Sequence, residues 1–178
     1  MTQSPSEPPI QQQVADVLTA DDESLAVAES LTGGRVGALL AEVPGASAFF
    51  DRGAVAYTAQ AKQEQVDIDS DTLKEVSSVN GAIAEGMARQ IRLQADTSWG
   101  IATTGVPGPT DGSHDKPVGT TYVGLAKRTG GEYKDTAVNV SQYEFDGSRA
   151  EIIEQAARQS LRNVHMAASE GRPKLQFR

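Results

Sequence analysis

The sequence contains no cysteine, which excludes disulfide bonds, thiolate nucleophiles and thiolate metal ligands. Histidine is scarce as well: His114 and His165 are the only two, so a histidine-rich metal site is not expected. Aromatic residues make up only 5% of the chain. The core must therefore be built mostly from alanine, valine, leucine and isoleucine.

The sequence also lacks a long apolar run and an excess of positive charge. No apolar stretch approaches the ~18 residues of a membrane-spanning helix, and the N-terminus has neither the basic start nor the apolar stretch of a signal peptide. The net charge of −8 argues against broad contact with nucleic acid or anionic lipid. We therefore expect a cytoplasmic protein with no nucleic-acid or membrane partner. A small anionic ligand remains compatible, because a few local donors can outweigh the global field.

The chain of 178 residues is long enough for one domain with a substantial core. We place that domain at 10–168, after a segment at 1–9 predicted to be disordered and before a polar tail at 169–178. Hydrophobic periodicity and turn signals predict helices at 10–19, 35–43, 59–66, 72–76, 81–94 and 149–168, and strands at 25–28, 54–58, 98–103, 118–126 and 136–143. The last two strands pair as an antiparallel hairpin. Strands that alternate with helices predict the α/β class, as a three-layer αβα sandwich with a mixed sheet.

The first candidate for chemistry is the segment Ser30–Gly34, which lies between a buried strand and a helix. In α/β folds, functional groups gather at the ends of strands. Ser30 is a candidate nucleophile, and Gly33 and Gly34 let the backbone turn sharply and expose N–H groups to a ligand. The helix start adds partial positive charge. The alternative is that Ser30 or Thr32 merely caps the helix.

Two further segments follow strands. Lys62 is a candidate general base if burial lowers its pKa, and the alternative is a solvated helix lysine. Tyr57 is either a hydrogen-bond donor or a simple aromatic residue at a strand end. The hydroxyl of Thr104 should face whatever the other strand ends face, although threonine is common in strands.

Several familiar motifs are excluded. Residues 113–116 read S-x-x-K, but that chemistry needs a helical turn and Pro117 follows at once. Aspartates alternate at 67–71 as in a calcium loop, yet Thr72 and Ser78 stand where glycine and glutamate are required. No G-x-S-x-G elbow or phosphate-binding P-loop occurs.

Four segments taken together resemble one family. Residues 28–34 (AESLTGG) match AES-C-TGG, and residues 52–62 (RGAVAYTAQAK) match RG-x-x-x-Y-[ST]-N-x-AK. Residues 104–120 match TGIAGP…GGS-x-x-KPVGT, and residues 145–149 (FDGSR) match F-x-GDR. This pattern is similar to the CinA C-terminal family, which includes nicotinamide mononucleotide deamidases. The likeness runs from Val14 to Met166 and does not include the N-terminal domain of full-length CinA proteins, so activities of that domain are not expected.

The resemblance implies an αβα sandwich that hydrolyses the carboxamide of nicotinamide mononucleotide to nicotinate mononucleotide and ammonia. The family's serine nucleophile and lysine base fall on Ser30 and Lys62. Its tyrosine and threonine fall on Tyr57 and Thr104, and its arginine falls on Arg149, a partner for the substrate phosphate.

Further expectations complete this hypothesis. Thr32, Gly33, Gly34 and Gly105 are expected to contact the substrate, and backbone N–H groups either near Gly33–Gly34 or at Gly105 are expected to form an oxyanion hole. No metal or cofactor is expected. The partners expected are a small phosphorylated nucleotide as substrate and a second copy of the chain in a homodimer.

The sequence departs from the family pattern at four positions. Leu31 replaces cysteine, Ala59 replaces asparagine, Pro107 replaces alanine and Ser148 replaces aspartate. Two alternatives therefore stay open: a nucleotide-binding or regulatory module that has lost catalysis, and the same serine–lysine chemistry on another small amide.

Overall fold

The computed structural model describes residues 7–75, 79–110 and 112–170. Every predicted helix and strand is present within them. In chain order they are α1 (Ile10–Ala20), β1 (Leu25–Glu29), α2 (Arg35–Ala41), β2 (Phe50–Val55), α3 (Ala59–Val66), α4 (Ser70–Glu75), α5 (Gly81–Ala95), β3 (Trp99–Gly105), β4 (Thr120–Arg128), β5 (Thr136–Glu144) and α6 (Arg149–Ser169). The predicted end of α4 at Val76, and most of both terminal segments, lie outside the described residues.

The largest difference from prediction is at β2, which begins four residues earlier and ends three residues earlier than expected. Tyr57 and Thr58 therefore lie beyond the strand. The side chain of Thr58 accepts a hydrogen bond of 3.1 Å from the Ala61 N–H and caps α3. This cap starts the helix at Ala59, so the strand must end before it.

The five strands form one mixed sheet in the order β2-β1-β3-β4-β5. Strands β2 and β3 both pair parallel with β1, whereas β4 pairs antiparallel with β3 and with β5. The predicted hairpin and mixed sheet are confirmed. All five residues of β1 are buried, as expected of a central strand covered on both faces.

Mostly aliphatic side chains, together with Phe49 and Trp99, pack on the two faces of the sheet. One core lies between the sheet and α1, α2 and α6, and the other lies between the sheet and α3 and α5. Helix α5 lies close to the sheet because two strand residues opposite it are glycines. A Cβ at Gly100 would be 2.3 Å from the Ala88 carbonyl oxygen, and one at Gly124 would be 2.2 Å from that of Ala84. The three-layer αβα sandwich is thereby confirmed.

Local hydrogen bonds set the starts of the two longest helices. The Asn80 side chain accepts from the Ile83 N–H at 3.0 Å, which confirms the predicted cap of α5. At α6, Ser148 and Glu151 form a reciprocal capping box. No helix in the described ranges combines the length and apolar character needed to cross a bilayer.

Candidate functional site

A cavity of about 550 Å³ opens at the carboxyl ends of the parallel strands. Five of the predicted site residues line it: Ser30, Tyr57, Lys62, Gly105 and Arg149. They come from positions as far apart as 30 and 149 in the chain, and the strand order β2-β1-β3 brings them together. Four other predicted site residues do not line the cavity, namely Thr32, Gly33, Gly34 and Thr104.

Ser30 continues β1 by one residue. Its N–H donates to the Thr103 carbonyl at 2.9 Å, which extends the parallel ladder. Ala28 lies opposite Ala102, so Ser30 is beside Thr104 on the sheet face that packs against α5. The Ser30 Oγ donates to the Tyr57 carbonyl at 3.4 Å. The hydroxyl therefore reaches the cavity from the α5 side of the sheet.

Lys62 lies on α3 and is 1% exposed. It and Val66 are the buried residues of α3, four apart, so both side chains lie on the stripe that faces the sheet. Burial lowers the pKa of the Lys62 ammonium to about 8. The alternative of a solvated surface lysine is therefore wrong.

Thr104 is fully buried in β3. The strand register puts it next to Ser30, but Thr104 itself does not line the cavity. Its neighbour Thr103 is on the opposite face of the sheet, where the two hydroxyl oxygens of Thr103 and Thr32 are 2.6 Å apart. Thr32 is thus fixed beneath α2, away from the cavity.

The N-terminus of α2 is occupied by a carboxylate of the protein itself. Glu29 accepts hydrogen bonds from the N–H groups of Gly34 at 3.0 Å, Val36 at 3.0 Å and Gly37 at 2.7 Å. The Gly33 N–H donates to the Ser30 carbonyl at 3.2 Å. The expectation that Gly33 and Gly34 present N–H groups to a ligand is therefore wrong.

The capping alternative is wrong as well, because the N-cap residue of α2 is Gly34, in a left-handed conformation, and neither Ser30 nor Thr32 caps the helix. Sequence reasoning missed Glu29. A possible signal was the composition of α2, whose first turn contains no acidic residue to satisfy its N–H groups.

Gly105 presents its backbone to the cavity. The Val106 N–H donates to the Thr120 carbonyl, and the Gly119 N–H donates to the Val106 carbonyl, both at 2.8 Å. Because backbone groups alternate in direction along a strand, the N–H of Gly105 points away from β4, toward the β1 side. A side chain is not tolerated there, since a Cβ would be 2.4 Å from the Thr120 carbonyl oxygen.

Arg149, the first residue of α6, connects two loops at the cavity. It donates to the Gly108 carbonyl and to the Tyr57 hydroxyl. Glu151, two residues further along α6, bonds to the N–H and hydroxyl of Ser148 and does not pair with Arg149. Within the described part of the chain, no carboxylate pairs with Arg149, and only two of its five N–H donors are engaged.

The loop after β3 adds polar groups to the cavity that were not predicted as site residues. They are Thr110, Ser113, Asp115 and Lys116. The Ser113 N–H donates to the Lys116 carbonyl at 2.8 Å in a turn and not in a helix, consistent with the exclusion of the S-x-x-K motif. Among the described residues, no three acidic or histidine side chains cluster closely enough to hold a metal ion.

Comparison with known proteins gives consistent results. The sequence model of the CinA C-terminal domain matches residues 7–167. A CinA-like protein of Syntrophotalea carbinolica is 42% identical over 139 residues, which cover 78% of this chain and 32% of that protein. A CinA-like protein of a Cyanothece species is 44% identical over 66% of this chain and 28% of its own length. The chain thus spans about a third of the length of these curated relatives.

Solved structures of similar proteins have the same fold. The competence/damage inducible protein CihA of Agrobacterium tumefaciens is 30% identical with a TM-score of 0.79, and the match covers 96% of this chain and all of that one. The competence damage-inducible protein A of Klebsiella pneumoniae is 26% identical with a TM-score of 0.84, over 92% of this chain and 97% of that one. The chain belongs to the CinA C-terminal domain family.

Proposed function

We propose that the chain is a nicotinamide mononucleotide amidohydrolase that uses a serine–lysine pair. The observation that carries this proposal is that Lys62, buried and with its pKa lowered to about 8, lines the same cavity as Ser30. A lysine with a pKa near 8 is neutral in about a tenth of molecules at pH 7, so a base is available without a histidine.

In the proposed reaction, the Ser30 Oγ attacks the carboxamide carbon and Lys62 takes the hydroxyl proton. The Gly105 N–H is the donor best directed toward the oxyanion, since the N–H of Gly34 is bonded to Glu29. Lys62 then returns the proton to the leaving ammonia, and an ester on Ser30 remains. Water, deprotonated by Lys62, hydrolyses that ester to release nicotinate mononucleotide.

Arg149 is the proposed partner of the substrate phosphate. Its charge is not paired with a carboxylate among the described residues, and three of its N–H donors remain for a ligand. In a protein with a net charge of −8, a local cation of this kind is needed to bind an anionic substrate. We further propose that Tyr57 acts through Arg149, because its hydroxyl bonds to that guanidinium, and that Thr104 supports Ser30 from the neighbouring strand.

The direct test measures ammonia release from nicotinamide mononucleotide by purified protein at low and high salt. Ser30→Ala and Lys62→Ala should each lower turnover by at least ~10²-fold while the circular dichroism spectrum stays unchanged. No release by the folded parent protein at either salt concentration would remove the proposal. Cytoplasmic location and a homodimer belong to the same proposal, and sedimentation of the purified chain tests the dimer.

A second candidate is a module that binds the mononucleotide without hydrolysing it. The observation in its favour is the pair of departures beside the cavity: Ala59 is the first residue of α3, three before Lys62, and Pro107 is part of the cavity wall. Titration calorimetry separates the candidates, because binding heat without ammonia release supports the module. A panel of other small amides tests whether the same pair acts on a different substrate.

A further inference from the structure

Glu29 is a buried carboxylate that the proposed chemistry does not use. It is the last residue of β1 and is 2% exposed. Because side chains alternate along the strand, Glu29 lies on the α2 face of the sheet, while Ser30 lies on the α5 face. Glu29 therefore makes no contribution inside the cavity, and its three hydrogen bonds go to the backbone at the start of α2.

These bonds close the segment that follows Ser30 into a fixed loop. Gly33 and Gly34 have φ values of +56° and +100°, a region that other residues rarely adopt, so the free segment has many accessible conformations. The Ser30 N–H is bonded to β3, and the Gly34, Val36 and Gly37 N–H groups are bonded to Glu29. One carboxylate thus joins the residue before the proposed nucleophile to the helix after it.

We propose that Glu29 is a positioning residue for Ser30. The inference rests on the proposed function, in which Ser30 is the nucleophile. From the α2 face of the sheet, the carboxylate accepts hydrogen bonds from the N–H groups that follow the 30–34 turn, and it thereby fixes the conformation of this turn. The Ser30 hydroxyl therefore stays directed into the cavity. A nucleophile that is displaced by a fraction of an ångström reacts more slowly even when substrate binding is unchanged.

Glu29→Gln is the matched variant. The carboxamide has the same shape, but its NH₂ group cannot accept, so at least one buried N–H at the start of α2 loses its partner. We expect kcat to fall by ~10-fold or more, with KM within ~2-fold, because the substrate-binding groups are untouched. Amide exchange, followed by mass spectrometry, should be faster by ~10-fold or more in peptides covering 31–37.

Glu154→Gln is the control. Glu154 on α6 accepts from Arg35 of α2 at 2.6 Å and from Arg158 at 2.6 Å, so this variant also removes contacts of a carboxylate with α2. It does not touch the turn, and both kcat and the exchange of 31–37 should stay within ~2-fold of the parent protein.

Three results overturn the inference. A Glu29→Gln protein with the parent's kcat does so, as does one in which exchange rises equally across the whole sheet, which indicates general destabilisation. If Glu29→Gln does not fold, Glu29→Asp replaces it, and a parent-like kcat in that variant has the same meaning. If the parent protein releases no ammonia from the mononucleotide or from the amide panel, the proposed function itself is wrong. This result can be told apart from a failure of the Glu29 inference, because it is obtained with the parent protein before any residue is substituted.

Discussion

Replacing Lys62 with methionine should change how stability depends on pH: the unfolding free energy of the variant relative to that of the parent should be highest at neutral pH and should fall as the pH rises. Lys62 is almost completely buried, and burial lowers its pKa from the ordinary 10.5 to about 8. The unfolded chain binds this proton more tightly than the folded chain does. Stability therefore increases with pH between about 8 and 10.5, where the unfolded chain carries the proton and the folded chain does not.

The magnitude follows from the two pKa values. A difference of about 2.5 in pKa corresponds to about 3 kcal/mol of stability. At pH 7 the folded parent protein must bury the charged form of Lys62, and its unfolding free energy is lower by that amount. By pH 10 most of this destabilisation has disappeared, because the folded chain buries the neutral amine. Methionine is similar in length and has no charge, so the unfolding free energy of the Lys62→Met variant lacks this pH-dependent contribution. The difference in unfolding free energy between the variant and the parent should fall by about 2–3 kcal/mol from pH 7 to pH 10.

Urea unfolding followed by circular dichroism at pH 7, 8, 9 and 10 measures this difference. Other titrating groups are common to both proteins and cancel. Lys134→Met is the control, because Lys134 is exposed in the β4–β5 turn and its charge stays in water. Its stability curve should run parallel to that of the parent. If the Lys62→Met curve is also parallel, Lys62 does not titrate as a buried amine, and the proposed base loses its main support.

Three further predictions concern the site. Turnover should rise as the pH increases through about 8, because only neutral Lys62 accepts a proton; a profile that is flat across this range would point to another base. Arg149→Ala should raise KM for the mononucleotide far more than it lowers kcat, and should leave hydrolysis of the dephosphorylated nucleoside unaffected; equal losses on both substrates would assign Arg149 a purely structural role between Gly108 and Tyr57. Gly105→Ala should destabilise the fold by at least ~2 kcal/mol in thermal or urea unfolding, since its Cβ would be 2.4 Å from a carbonyl oxygen. The control is Gly131→Ala, which has open space around the new Cβ and whose unfolding free energy should stay within about 0.5 kcal/mol of that of the parent.

The sequence alone was sufficient for the order and type of the elements and for several helix ends. The Asn80 cap of α5 joins residues three apart, so the short polar side chain and the apolar stripe after it predict the contact. The alternation of strands and helices with one hairpin likewise predicts the mixed sheet. The sequence motifs also predicted five site residues that line the cavity, namely Ser30, Tyr57, Lys62, Gly105 and Arg149.

Only the tertiary structure decided which groups are available for chemistry. The two interpretations of Lys62, as a solvated lysine or a buried base, differ in how α3 lies on the sheet, and the local sequence does not determine that packing. Arg149 contacts Tyr57 across 92 positions of the chain, while the glutamate two residues away from it belongs to the helix cap. The turn at Gly33–Gly34 has the composition of an anion site, yet the Glu29 carboxylate already occupies it. Spacing along the chain predicts hydrogen bonds within one turn. Partners that are brought together by strand order compete for the same donors, and which partner each buried donor binds is decided only when the chain is folded.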